Sequence, residues 1–206
     1  EDILALEYAI THNPGDARAP YYLGCLWYDK RQYDKAAAMW ERSATLDPAF
    51  PTVWRNLSLA AYNKQGDAIK ARKYMERAYA LDPADARVLL ELDQLYRKLH
   101  MPIAERFAFL DSHREVVFLR DDLTVEYCTL LNDLGRYDEA LAIITTRKFH
   151  PWEGGEGKVT TQYAVALTQL ARRALESGNA AQAKALLERA LVFPHNLGEG
   201  KLEGAK

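Results

Sequence analysis

The sequence predicts an all-α fold, a right-handed solenoid of about eleven helices built from helix–turn–helix repeats. Prolines recur with a period near 34 residues, and the intervals between them are 34, 35, 68 and 43 residues. The prolines in this series are Pro14, Pro48, Pro83, Pro151 and Pro194. Each full segment between them carries two amphipathic stretches of about three turns. Gly66, Gly135 and Gly178 separate the two stretches, where a left-handed residue can end the first helix.

The chain divides in order into one half repeat, five repeats and the start of another. The expected boundaries are 1–16, 17–50, 51–85, 86–120, 121–154, 158–197 and 198–206. Residues 1–16 have the pattern of a second helix without its first, and the chain does not begin with Met. The third repeat is degenerate, with Met101–Pro102 at its turn and no closing proline. We therefore expect a single array that is a fragment of a larger protein.

Small and aromatic residues recur at fixed places in these repeats. Alanine follows each turn at one position of the second helix, where it lets two helices approach closely: Ala36, Ala71, Ala140 and Ala183. Large aromatic side chains are expected to pack as core residues between helices: Trp27, Trp40, Trp54, Tyr33 and Tyr137. Because one helix pair cannot bury its apolar stripe alone, stacking of repeats must supply the core.

The recurring residues resemble the signature of the tetratricopeptide repeat, a 34-residue helix–turn–helix. The first full repeat carries Leu23–Gly24, Trp27, Tyr33, Ala36, Trp40 and Pro48. Later repeats carry Trp54, Leu57, Ala71, Ala78 and Pro83, then Gly135, Tyr137, Ala140 and Pro151, then Gly178, Ala183, Ala190 and Pro194. This resemblance covers nearly the whole chain. It implies a noncatalytic scaffold that binds a peptide or another domain of its own parent chain.

The same resemblance implies a concave groove lined by the first helix of each repeat. By position, its lining is Arg18, Tyr21, Cys25 and Tyr28, then Arg55, Leu59, Tyr62 and Asn63, then Arg87, Gln94, Arg97 and Lys98. Aromatic and Arg residues are common binding anchors, although a solvated helix face also carries Arg. The family's clamp for chaperone-tail carboxylates needs Lys and Asn where Tyr21 and Cys25 stand. We expect an acidic or aromatic partner that contacts Tyr28, Arg55, Tyr62 and Arg97.

A glycine-rich stretch, FHPWEGGEGKV at 149–159, interrupts the helical pattern and has a partial copy at 193–202. The two copies share Gly-Glu-Gly-Lys and lie 43 residues apart. We predict a surface turn over 152–157, with Trp152 packed onto the preceding repeat and a long helix from Lys158. The second copy should begin a further helix. The alternative is an anion site at Gly155, Gly157 and Lys158, although the spacing of a phosphate-binding P-loop is absent.

The two copies also resemble, more loosely, the C-terminal repeat region of large bacterial proteins of uncharacterised function. In those proteins a β-rich domain similar to sugar mutarotases precedes the repeats. The resemblance rests on HPWEGGEGKV and NLGEGKLEGA alone. It implies an alternative function, in which this chain is an accessory region of a carbohydrate-related protein.

Composition and motifs limit the classes of function and the compartment expected for this chain. A net charge of −2, from 27 basic and 29 acidic side chains, argues against a nucleic-acid partner. No apolar run reaches the roughly 18 residues of a membrane helix. No catalytic, cofactor or metal motif is present among the histidines and carboxylates, so we expect no enzyme activity and no cofactor. Cys25 and Cys128 lie inside helical patterns and are expected in or near the core, which favours a reducing, cytoplasmic compartment. Weak self-association through the exposed ends of the array is a third hypothesis.

Overall fold

The computed structural model describes residues 1–198, and the chain divides into two compact units, Glu1–His100 and Met101–Lys206. The first unit contains α1 (Asp2–His12), α2 (Arg18–Asp29), α3 (Tyr33–Leu46), α4 (Pro51–Ala60), α5 (Ala68–Leu81) and α6 (Ala86–Lys98). The second contains α7 (Ile103–Asp111), α8 (Arg114–Val117), α9 (Asp121–Asp133), α10 (Tyr137–Thr146), α11 (Lys158–Glu176) and α12 (Ala180–Ala190). A π-helix, Ala61–Gln65, continues α4, and a 3₁₀ turn, His195–Leu197, follows α12.

The predicted fold class, an all-α solenoid of helix–turn–helix repeats, is confirmed. Residues 1–198 contain twelve α-helices and no β-strand. The expected number was about eleven, and the additional helix is the single turn Arg114–Val117 in the degenerate third repeat. The predicted helix that follows the second Gly-Glu-Gly-Lys copy falls at 199–206, outside the described residues.

The alanine positions set how closely the two helices of a repeat approach. Ala36, Ala71 and Ala140 have no exposed surface, and Ala183 is 1% exposed, as the sequence predicts. The predicted aromatic core is correct in part. Trp40 is buried at 3% exposure, whereas the other four aromatic residues of that prediction are only half-buried: Trp27, Trp54, Tyr33 and Tyr137. They lie at the margins of the helix pairs, where part of each ring faces solvent.

The turn between the helices of each repeat contains one residue in the left-handed region. Gly66, Gly135 and Gly178 have φ angles of 68°, 73° and 79°, which confirms the predicted role of these glycines. Arg31 and His100 occupy the same place in the first and third repeats, each with φ of 58°. Left-handed backbone is unfavourable for residues that carry a Cβ. The turn geometry is therefore imposed by the packing of the helix pair rather than by glycine alone.

The second repeat is one residue longer than the others at this turn. A buried residue of the first helix precedes the left-handed residue by seven positions in four repeats: Gly24–Arg31, Asp93–His100, Cys128–Gly135 and Ala171–Gly178. In the second repeat, Ser58 precedes Gly66 by eight. The π-helix Ala61–Gln65 lies within that interval. Because a π-turn contains one more residue than an α-turn, it absorbs the insertion without shifting either helix.

In the second unit, the segment after α12 folds back onto the end of α10. The Asn196 side-chain amide donates hydrogen bonds to the carbonyl oxygens of Ile144 at 2.8 Å and Arg147 at 2.7 Å. The backbone nitrogen of Phe149 donates to the Asn196 carbonyl at 2.8 Å. Leu197 and Phe149 are each 1% exposed. Asn196 therefore satisfies carbonyl groups that the end of a helix would otherwise leave without a partner.

The glycine-rich stretch of the second unit forms the predicted surface turn, and α11 begins at Lys158 as expected. Gly154 and Gly157 both have φ of 74°. The half-buried indole ring of Trp152 lies against Gly155, where a Cβ would come within 2.3 Å of the ring. Trp152 therefore covers the turn that follows it, and Gly155 is required for that contact. Its predicted packing onto the preceding repeat stays a prediction.

Candidate functional site

The first helices of the first unit share one half-exposed surface, which we call the first-helix face. It is formed by α2, α4 with its π-helix, and α6. Its residues are Tyr21, Cys25, Tyr28, Arg55, Asn56, Leu59, Tyr62, Asn63, Glu91, Gln94 and Lys98. Most of the residues predicted to line a groove belong to this face, and contacts between neighbouring repeats hold them together.

A polar contact joins α2 to α4. The Asn56 side-chain nitrogen donates to the Cys25 sulfur at 3.8 Å, and the Tyr21 side chain lies beside both. Burial raises the pKa of the Tyr21 phenol, and Cys25 adds to this shift. The Tyr21 ring also packs against Phe50, with 4.8 Å between the ring centroids. Tyr21 is therefore a neutral hydrogen-bonding group at physiological pH.

An ion pair joins α4 to α6. The Arg55 Nε donates to Glu91 Oε2 at 2.6 Å, and an Arg55 terminal nitrogen donates to Glu91 Oε1 at 2.5 Å. Arg87, one turn before Glu91 on α6, donates to the same carboxylate at 3.2 Å. The hydrogen bond to Glu91 raises the pKa of Arg55. The guanidinium that the sequence assigned to a partner is thus neutralised within the face.

Cations stack on tyrosines at the C-terminal end of the face. The Lys98 nitrogen lies 4.9 Å from the centroid of the Tyr62 ring. The Lys64 nitrogen lies 4.3 Å from the ring of Tyr33 and 6.0 Å from that of Tyr28. A cation within about 6 Å of an aromatic centroid is attracted by the ring. These contacts fix the positions of side chains that are otherwise exposed.

A small cleft opens between α4 and α6 at the π-helix. It has a volume of about 60 Å³ and is lined by Ser58, Leu59, Tyr62, Asn63, Met75, Glu91, Gln94, Leu95 and Lys98. Pockets for drug-sized ligands are typically ~300–1,000 Å³. The cleft is therefore suited to part of an extended chain rather than to a whole small molecule.

Two further predicted groove residues lie at the two ends of the face. The Arg18 guanidinium carbon is 3.9 Å from the centroid of the Phe50 ring at the start of α2. Arg97 is exposed near the end of α6. Asn56 and Glu91 are members that the sequence analysis missed. Glu91 could have been predicted as a partner of Arg55, because it is acidic and follows Arg55 by one repeat period plus two residues.

The second candidate site, at Gly155, Gly157 and Lys158, lies in the second unit. Gly157 is the N-cap of α11, and the Lys158 side chain is exposed. The backbone nitrogen of Lys158 donates to the Gly155 carbonyl at 3.0 Å, which closes the turn. The stretch is a well-formed turn, and anion binding there stays a prediction.

The two cysteines lie in or near the core as predicted, with Cys128 buried and Cys25 half-buried. Both cysteines are free, and burial raises the pKa of the Cys128 thiol to about 12. Across residues 1–198 there is no cluster of three or more His, Cys, Asp or Glu side chains able to hold a metal ion. Within the same part of the chain, no helix combines the length and apolar character needed to span a bilayer.

Comparison with known proteins shows what this chain is similar to. Residues 23–86 match the model of the tetratricopeptide repeat. The structure of YrrB, described as a TPR protein with an unusual peptide-binding site, matches with a TM-score of 0.62 at 19% identity, over 91% of each chain. A MamA protein structure matches with a TM-score of 0.57 at 13% identity, over 85% of this chain and 90% of that one. Residues 23–86 therefore resemble tetratricopeptide repeats, and the helical-repeat fold extends over about nine-tenths of the chain.

Proposed function

We propose that this chain is a noncatalytic interaction scaffold whose first-helix face binds an extended peptide segment. The segment belongs to another protein or to another domain of the same parent. The observation that carries the proposal is the gathering of aromatic, amide and charged side chains from three successive first helices on one half-exposed surface. Aromatic and Arg residues dominate the binding energy of many interfaces. The likeness to YrrB, described as having a peptide-binding site, is consistent with this assignment.

The contacts between repeats prepare this surface for binding. The Tyr21 ring packs against Phe50, and Arg55 is held by Glu91. Ordering a flexible side chain on binding costs about 0.5–1.5 kcal/mol. Since these side chains are ordered in the free protein, most of that cost is avoided. The face then presents a fixed pattern of rings and hydrogen-bonding groups to a partner.

The chemistry of the face favours a partner with acidic and aromatic residues. Because Arg55 is engaged with Glu91, we assign recognition of acidic groups to Lys98, which is exposed at the end of α6. Tyr28 and Tyr62 offer partly exposed rings for aromatic contacts. This assignment keeps the expected partner but moves its main ionic contact from Arg55 to the end of α6.

The carbohydrate-related alternative concerns a parent protein beyond these residues, and no contact on the first-helix face adds to it. Self-association through the ends of the array also stays a prediction. Sedimentation of the purified chain over a range of concentrations tests that hypothesis directly.

A peptide array tests the proposed function. The purified 206-residue chain is applied to immobilised peptides of random sequence, and the sequences retained are synthesised for affinity measurements. We expect Lys98→Glu to weaken binding and to reduce its salt dependence, because it reverses a charge on the face. The control is Lys73→Glu, the same change at an exposed position on α5 away from the face. Equal effects of the two variants, or no retained peptide, would contradict the proposal.

A further inference from the structure

We infer that the one-residue insertion in the second repeat builds the recognition cleft of the first-helix face, and that this cleft selects a peptide with a small side chain beside a carboxylate. The inference rests on the proposed function and adds to it the residues and the ligand chemistry that give selectivity. It begins from the π-helix Ala61–Gln65, a feature that lies outside the repeat signature.

Backbone hydrogen bonds locate the insertion. In other repeats the nitrogen after the left-handed residue donates five positions back: Gln32 to Trp27, Arg136 to Leu131, and Asn179 to Ala174. In the second repeat, Asp67 donates six positions back to Ala61 at 3.0 Å. The extra residue is therefore taken up between Ala61 and Gly66. The start of α5 keeps its place, since Ala71 is fully buried like Ala36.

The insertion has a direct consequence for the face. Two residues of the π-helix, Tyr62 and Asn63, line the cleft between α4 and α6. Single π-turns within α-helices are rare and are frequently found at functional sites. Tyr62 also forms the platform on which the Lys98 ammonium lies. The insertion thus places Tyr62 and Asn63 in the wall of the cleft, and through Tyr62 it positions the Lys98 ammonium.

The lining defines the chemistry of the occupant. The amides of Asn63 and Gln94 each carry donors and an acceptor, which suit the N–H and C=O groups of an extended backbone. The Ser58 hydroxyl is already used, because it donates to the Ala71 carbonyl at 2.7 Å. A volume of about 60 Å³ admits a side chain the size of alanine or serine.

The charges of the cleft define the neighbouring residue of the peptide. Glu91 is neutralised by Arg55 and Arg87, so it does not repel a carboxylate. The Lys98 ammonium is exposed beside the cleft and has three donors for a carboxylate. The motif expected from these features is a small residue followed or preceded by aspartate or glutamate in an extended segment.

Deletion of Gln65 tests the inference, because it restores the seven-residue spacing of the other repeats. We expect the variant to fold, with an unchanged helical circular dichroism spectrum and a denaturation midpoint equal to or above that of the parent. On the same random-peptide array, the parent should retain sequences with the small–acidic motif. Affinity for a synthetic peptide of that motif should fall about tenfold in the deletion variant.

Two peptides and two point variants complete the experiment. One peptide carries the small–acidic motif with glutamate, and the other has glutamine in place of that glutamate. Lys98→Gln should remove the preference for the glutamate peptide, whereas Lys73→Gln should leave the preference intact. A parent chain that retains no peptide overturns the proposed function and this inference together. A parent that binds peptides, with the same affinity and preference after deletion of Gln65, overturns this inference alone. If the deletion variant does not fold, unchanged preference in both Asn63→Leu and Lys98→Gln overturns it.

Discussion

Gly24 on α2 lies directly beneath the ring of Trp40 on α3. A Cβ at this position would come within 2.5 Å of the indole Cδ1 and Nε1 atoms and 3.1 Å of the Ala36 carbonyl oxygen. Trp40 cannot move away freely, because its Nε1 donates to the Tyr21 carbonyl at 3.2 Å. Glycine here is therefore a requirement of packing and not of backbone conformation.

We expect Gly24→Ala to destabilise the protein by roughly 1–3 kcal/mol, the usual cost of overpacking a core. The measurement is the free energy of unfolding from denaturant titration, followed by tryptophan fluorescence. Gly15→Ala is the matched control, since no atom lies within 4 Å of the added Cβ. Equal stability of the two variants would show that α2 and α3 separate readily and that this contact is unimportant.

Asp121, at the start of α9, gives a pH-dependent contribution to stability. Burial raises its pKa, but hydrogen bonds from Arg147 and His150 outweigh burial and lower the pKa below the ordinary value of 3.8. A carboxyl with a lowered folded-state pKa stabilises the fold above its unfolded-state pKa of about 3.9. That contribution is lost as the pH falls through the folded-state pKa.

Asp121→Asn should therefore lower the unfolding free energy at pH 7 by about 2 kcal/mol, because hydrogen bonds to charged groups are lost. The difference from the parent should shrink as the pH falls below about 4. Denaturant titrations between pH 7 and pH 3 measure both quantities. Asp138→Asn, at an exposed position of α10, should show neither effect, and a pH-independent difference at Asp121 would contradict the assignment.

At the scale of the helices, the repeat period predicted most of the architecture. Proline and glycine mark the ends of helices through their own backbone preferences, so the boundaries and turns at Gly66, Gly135 and Gly178 were visible in the sequence. Arg31 and His100 were not, because tertiary packing places them in a conformation that their residue types disfavour. The interval of 35 residues from Pro48 to Pro83 was also visible, but periodicity alone does not reveal that a π-helix absorbs the extra residue.

The candidate face likewise combines features that the sequence predicts with features that it does not. The spacing of Tyr21, Tyr62 and Gln94 was sufficient to predict that they share a surface, since it follows from the repeat. The ion pair of Arg55 with Glu91 could not be predicted from that spacing, because it depends on which rotamers two long side chains adopt across neighbouring repeats. Pairing of this kind decides whether a predicted cation is available to a partner.

The end of α10 depends on a side chain that is distant in sequence. Asn196→Ala removes two hydrogen bonds to the Ile144 and Arg147 carbonyl groups and leaves both without that donor. We expect a loss of about 1–3 kcal/mol in the stability of the second unit. The control is His195→Ala, at an exposed neighbouring residue. If unfolding monitored by circular dichroism is the same for both variants, the segment 193–198 does not close this unit.

At the scale of the whole molecule, stability should be distributed by repeat rather than held in one core. In a helical-repeat fold each repeat contacts only its neighbours, so stability is approximately a sum of repeat and interface contributions. The buried residues here support that description, since four of the five repeats supply their own buried alanine at the contact of the two helices. A defect in one repeat should therefore have effects that decline with distance along the chain.

Two matched substitutions test this expectation. Ala71 in the first unit and Ala140 in the second are both fully buried at the equivalent position of their repeats. Ala71→Leu and Ala140→Leu should each overpack one helix pair at a cost of roughly 1–3 kcal/mol. Amide hydrogen exchange, resolved by peptide, should show lost protection mainly at α4 and α5 in the first variant and mainly at α9 and α10 in the second. If either substitution lowers protection equally throughout residues 1–198, the protein unfolds as one cooperative core, and the nearest-neighbour description does not apply to it.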